Sequence, residues 1–161
     1  MVRKAKFGDI PRLAALLEQA YRRSKYSSRT SVNAKDMKAI LVTAIQRHGL
    51  ASAGGNCVFV SEHEGVVDGL IAASLDPVYY IGESLWANEV FFYVAPDGSP
   101  ASAGDLIDAY VDWVQGIEAV IVQRLAATDI IDGVDYERTA ALYRRKGFVQ
   151  TGVIYERRND L

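Results

Sequence analysis

The sequence predicts a single α/β domain of the α+β kind, three layers deep, with a central mixed, mostly antiparallel sheet flanked by helices. Three observations point there. The chain has 161 residues, 50% of them apolar, which is enough for one real core. Stretches of alternating apolar residues trade places with stretches of helical spacing. These stretches come in the mixed order β-α-α-β-β-β-α-β-α-β, with no internal repeat, linker or low-complexity tract, so residues 1–161 read as one unit.

Each element has its own warrant. "VRKAK" (2–6) alternates and reads as a first strand. In "GDIPRLAALLEQAYRRSKY" (8–26), Asp9 is placed to cap a helix and Pro11 falls in its first turn. Ile10, Leu13, Leu16, Leu17 and Ala20 recur at helical spacing behind them. A second helix follows, with Met37, Ile40, Leu41, Ala44 and Ile45 as its apolar stripe and Gly49 as a C-terminal stop. "CVFVSEHEGVVDGLIAASL" (57–75) reads as two strands joined at 63–65. "NEVFFYV" (88–94) is a strongly apolar strand whose alternation puts Glu89, Phe91 and Tyr93 on one side. A small-residue loop then opens the helix "AGDLIDAYVDWVQG" (103–116), apolar at Leu106, Ile107, Tyr110, Val111 and Val114. "EAVIVQRLAA" (118–127) reads as a buried strand, in a crossover of parallel type with the strand before it. "YERTAALYRRKG" (136–147) is the last helix, and "FVQTGVIYERR" (148–158) supplies one or two closing strands.

Composition narrows the function classes. No apolar run approaches the ~20 residues of a membrane helix. Met1 leads straight into "VRKAK", without an apolar leader, and Cys57 is the one cysteine, so a reducing cytoplasm is the expected location. Two distant histidines, His48 and His63, lack the spacing of metal ligands, and no metal is expected. The net charge of −2 hides an asymmetry: of 18 Lys and Arg, none lies in 48–123, which carries 11 of the 20 acids. An anionic ligand docking on that middle third must draw its cations from elsewhere.

Three local patterns resemble the GNAT superfamily of N-acetyltransferases, across nearly the whole chain. The first is "VAPDGSPASAGDL" (94–106), set against V-x-P-x-x-(R/Q)-x-x-G-x-(G/A)-x-x-L. Val94, Pro96 and Gly104 match; Ser99 stands where Arg or Gln is usual, Ser102 where the first glycine is usual, and Ile107 replaces the Leu. Read alone, this is also an ordinary helix start after a strand. The second is "YERTAALYRRKGF" (136–148), set against N-x-x-A-x-x-L-Y-x-x-x-G-F. Leu142, Tyr143, Gly147 and Phe148 match, while Tyr136 and Thr139 depart from the pattern but share a helical face with Tyr143. The third is Glu89, a carboxylate in an apolar strand just before the loop. An edge carboxylate facing water reads the same way. The surrounding sequence is most similar to phage- and prophage-associated GNAT-like proteins.

The resemblance implies acetyl-coenzyme A as cofactor and transfer of its acetyl group to a primary amine by direct attack. It implies pantetheine contacts from the backbone of Phe92, Tyr93 and Val94. Pyrophosphate contacts would come from Ser99, Pro100, Ala101, Ser102, Ala103 and Gly104 at a helix start, where free N–H groups attract phosphate. Tyr136 and Thr139 would line the cofactor. Glu89 would be the general base and Tyr143 the acid that protonates the thiolate, with Arg138, Arg144 or Arg145 adding positive charge. The departures at Ser99 and Ser102 equally fit a catalytically inactive GNAT-fold binding or virion-associated module. The acceptor would be a small-molecule or peptide amine, walled by the basic, aromatic stretch "YRRSKYSSRTS" (21–31), with Tyr79 and Tyr80 on the same side. The low overall basicity argues against nucleic acid. Family members often form homodimers.

Overall fold

The alternating start of the chain folds as expected in the computed structural model, which describes residues 1–157. Strand β1 (Val2–Lys4) pairs antiparallel with β2 (Asn56–His63), β2 with β3 (Val66–Pro77), and β3 with β4 (Leu85–Val94). Strand β5 (Val120–Arg124) joins β4 in parallel, giving a five-stranded sheet in the order β1-β2-β3-β4-β5. The β2–β3 hairpin turns at Glu64 and Gly65, both at positive φ, as a tight two-residue turn demands.

The described residues form four α-helices, α1 (Ile10–Arg22), α2 (Ala34–Gln46), α3 (Ser102–Gln115) and α4 (Tyr136–Arg145), the first three packed on the two faces of the sheet. Strand side chains alternate, so each face has its own apolar layer. Val58, Val60, Leu70, Ala72 and Tyr93 meet Leu13, Leu16 and Leu41 of α1 and α2. On the other face Cys57, Ile71, Ala73, Leu75 and Ala87 meet Leu106, Tyr110 and Val114 of α3. Strand β3, buried on both sides from Val67 to Ala73, is the middle of the molecule.

Three expectations need correction. Asp9 holds the N-cap position of α1, but its carboxylate does not cap the helix. Its carboxylate takes the Lys6 N–H at 2.7 Å and the Arg3 guanidinium at 2.8 and 3.0 Å, closing a 3-10 turn before the helix. β5 is an edge strand rather than a buried one, with Ile121 63% and Val122 44% exposed, because among the described residues nothing pairs with its outer side. The closing strands are absent within 148–157: that segment has no ladder, and Val149, Val153, Ile154 and Tyr155 are exposed. Glu156 is held by Tyr26 and by Lys25 at 3.3 Å, which carries the segment toward the α1–α2 connection instead of the β5 edge. Arg158 lies outside the described residues.

Candidate active site

Strands β4 and β5 part company halfway. Their pairing runs from Leu85↔Val120 to Asn88↔Arg124 and stops there. Tyr110 of α3 marks the fork: its hydroxyl donates to the Ala87 carbonyl at 2.8 Å and accepts the Arg124 N–H at 3.2 Å. From Glu89 onward β4 has β3 on one side and, among the described residues, no strand on the other.

The register of β4 against β3 also slips at this point. Ala73 faces Glu89 while Ala72 faces Phe91, so Val90 is the extra residue of a β-bulge. The bulge overturns the simple alternation. Glu89 shares a face with Ala73 and α3, whereas Phe91 and Tyr93 face α1 and α2. Glu89 Oε2 accepts the Ala126 N–H at 3.0 Å, just past the end of β5. Tyr143 of α4 reaches the same residue and donates its hydroxyl to the Ala126 carbonyl at 3.2 Å. Burial raises the Glu89 carboxyl from 4.5 to about 6, opposed by the Ala126 N–H. Burial, then the charge of Glu89, pushes the Tyr143 phenol well above its ordinary value, so it keeps its proton at neutral pH. Phe92 and Phe148 flank its ring.

The loop after β4 packs down on Asp68 of β3. The buried Asp68 carboxylate accepts the Ser99 N–H at 2.8 Å and the Ser102 hydroxyl at 2.9 Å. Ser99 thus turns its amide inward, and Ser102 is buried at the first residue of α3. Pro100 has no N–H to offer. The Ala101 N–H turns to the Ser99 hydroxyl at 3.4 Å, while the amides of Ala103 and Gly104 lie at the helix start, where the ladder has no acceptors for the first N–H groups. Space is open above Gly104: a Cβ built there meets only Lys146, whose Cε and Nζ are 3.7 Å away. Lys146 follows α4 and is held by both Asp108 oxygens at 2.6 Å. Lys146 thus stands beside this helix start; Arg144 instead faces Glu137 at 3.8 Å.

No protein-family model matches the sequence, and no curated protein matches it. Solved structures do. The ribosomal-protein-alanine N-acetyltransferase of Brucella melitensis is 19% identical with a TM-score of 0.69, over 94% of this chain and 86% of that one. The glucosamine-6-phosphate N-acetyltransferase of Arabidopsis thaliana is 11% identical with a TM-score of 0.70, over 99% and 98%. AAC(6')-Iy in complex with the bisubstrate analogue CoA-S-monomethyl-acetylneamine is 16% identical with a TM-score of 0.70, over 100% and 98%. The chain has the GNAT fold.

Within this GNAT fold the remaining expected residues lie as follows. Tyr136 starts α4, half-buried, and the Thr139 hydroxyl closes on the Asp135 carbonyl. The basic stretch after α1 is largely answered by internal partners. Arg22 pairs with Glu18, Lys25 with Asp129 and Glu156, and Arg23 donates to the Asp132 carbonyl and the Tyr93 hydroxyl. Tyr79 and Tyr80 lie elsewhere, their rings edge-on to Trp86. A cavity of about 400 Å³ opens between α2 and the sheet, lined by Val90 and Phe91 of the bulge with Ser74, Asp76 and Arg47. Among the described residues no acidic, His or Cys cluster suits a metal ion, and no helix is long and apolar enough to cross a membrane. Asp68 and Lys146 went unmarked in the sequence reading. Lys146 had one available signal, its place beside the Gly147–Phe148 match.

Proposed function

We propose that this chain is an acyltransferase that moves an acetyl group from acetyl-coenzyme A to a primary amine. The observation that supports this most is the meeting of Glu89 and Tyr143 on the two sides of Ala126, where β4 and β5 separate. Coenzyme A, when bound, supplies the acetyl thioester. The residues present fit it: the free edge of β4 at Phe92, Tyr93 and Val94 offers backbone groups for an added strand. The Ala103 and Gly104 amides and the helix end offer donors and partial positive charge for a pyrophosphate, with Lys146, paired to Asp108, beside them.

Glu89 Oε2 takes a proton from the incoming ammonium. Its raised pKa, about 6, keeps it ionised yet basic at neutral pH. The Tyr143 hydroxyl, protonated across the neutral range, gives its proton to the departing thiolate when it releases the Ala126 carbonyl. No nucleophilic cysteine is required. Cys57 is fully buried and its thiol is pushed up to about 12 by that burial.

One observation favours the rival reading of a binding module without turnover. The Asp68 carboxylate already holds two donors of the loop. Thermal unfolding with acetyl-coenzyme A separates the cases. At a hundredfold excess over its dissociation constant, the ligand stabilises the protein by about 2.7 kcal/mol. No shift at millimolar acetyl-coenzyme A overturns the acyltransferase reading, and a shift without turnover of any amine in a broad panel favours the binding module.

A further inference from the structure

We propose that Asp68 is a positioning residue for the loop between β4 and α3, holding it from inside the protein so that its remaining amides face outward toward a pyrophosphate. This inference rests on the acetyl-coenzyme A reading above.

Asp68 is 6% exposed, and among the described residues no Lys or Arg pairs with it. A buried carboxylate without a counter-charge costs several kcal/mol unless hydrogen bonds replace its lost water. Here they do, and they come from three separate elements. Ser61 of β2 donates its hydroxyl at 2.5 Å, the loop donates the Ser99 N–H at 2.8 Å, and α3 donates the Ser102 hydroxyl at 2.9 and 3.2 Å. Bonds to an ionised acceptor are short and about twice as strong as neutral ones. The main chain adds a fourth tie, from the Ala95 N–H to the Asp68 carbonyl at 2.8 Å. The loop is therefore pinned at its start, its middle and its end by one residue.

The surroundings are shaped for this grip. A Cβ on Gly98 would come within 3.1 Å of the Asp68 carboxylate and 3.0 Å of the Ala95 carbonyl. A Cβ on Gly69 would stand 2.7 Å from the Ser61 hydroxyl. Two glycines thus leave just enough room for the carboxylate and its donors. Ser99 and Ser102 occupy the positions where the loop departs from its family pattern, and both spend their donors on Asp68. They shape the loop, and the Ser99 hydroxyl also accepts the Ala101 N–H at 3.4 Å, while the Ala103 and Gly104 amides remain to meet the ligand.

The test is Asp68→Asn, an isosteric change that replaces one acceptor oxygen by a donor facing donors. Calorimetry with coenzyme A should show its dissociation constant raised about tenfold or more, the loss of one charged hydrogen bond or its equivalent. The dissociation constant of S-acetylpantetheine, which has the same thioester but no pyrophosphate, should stay within about twofold of wild type in the same calorimetry. Amide exchange should accelerate over 99–104 and remain unchanged in β2 and β3. Unchanged coenzyme A affinity overturns the inference, as does an equal loss for S-acetylpantetheine, which would mean general damage. If Asp68→Asn fails to fold, Ser102→Ala removes one donor and keeps the carboxylate, and the same split between the two ligands is expected at smaller size. Wild-type protein that does not bind coenzyme A overturns the functional reading itself, so the two failures are told apart.

Discussion

Glu89 shows how one side chain inherits its chemistry from its neighbours. A carboxylate in water titrates near 4.5; burial beside β5 raises this one to about 6 while a single N–H from Ala126 pulls the other way. If it accepts the substrate's proton, it must be ionised to do so. The rate, measured as kcat/KM against pH, should therefore rise as pH increases through about 6 and level off above it. Glu89→Gln should lose that limb and slow turnover by about 10²–10⁴-fold, while an intact pH limb in the variant would assign the titration to another group. Glu89 and Tyr143 were legible in the sequence because each is odd or patterned locally, an acid in an apolar strand and a tyrosine before Gly–Phe. Asp68 and Lys146 were not, because the partners that tie them to the loop and to α3 lie 31, 34 and 38 residues away. No local pattern contains such a pair.

At the scale of elements, the site is made by the fork between β4 and β5, and Tyr110 of α3 holds the fork. Its hydroxyl sits in a fully buried side chain and serves the Ala87 carbonyl and the Arg124 N–H together. Tyr110→Phe removes that hydroxyl and its bonds to the Ala87 carbonyl and the Arg124 N–H. The expected cost is about 1–3 kcal/mol, read from the denaturant midpoint. An unchanged midpoint would mean that the strands hold each other without the phenol. The sequence placed Tyr110 on the buried stripe of its helix but carried no sign of this second duty. The bulge at Val90 is similar. Alternation along "NEVFFYV" predicts one face for Glu89, Phe91 and Tyr93, and only pairing against Ala72 and Ala73 inserts the extra residue that divides them.

For the whole molecule, charge distribution adds ties between distant segments. The middle third has no cation of its own, and two of its acids are answered from the two ends of the chain. Arg3 reaches Glu62, and Lys146 reaches Asp108. Arg3 also binds Asp9, and this hydrogen bond holds the Asp9 carboxyl below its ordinary value of 3.8 despite partial burial. A lowered carboxylate contributes stability at pH above the unfolded value and loses it as pH falls through the folded one. The melting temperature should thus drop as the solution is acidified below about pH 4, and Arg3→Gln should flatten that drop. Equal acid sensitivity in the variant would place the sensitive carboxylates elsewhere, with Asp68 the next to examine.

What the sequence determined by itself is the order and type of the first nine elements, the two apolar faces, and the positions of Glu89, Tyr143 and the loop between β4 and α3. Those follow from periodicity, which is a property of neighbours along the chain. The tertiary structure alone decided that β5 lies at an edge, that 148–157 leaves the sheet, that a bulge turns Glu89 toward α4, and that Asp68 holds the loop while Lys146 stands over it. Each of these is settled by a contact between segments far apart in sequence. The free energy of such a contact depends on the partner's position in space, which the spacing of residues along one segment does not encode.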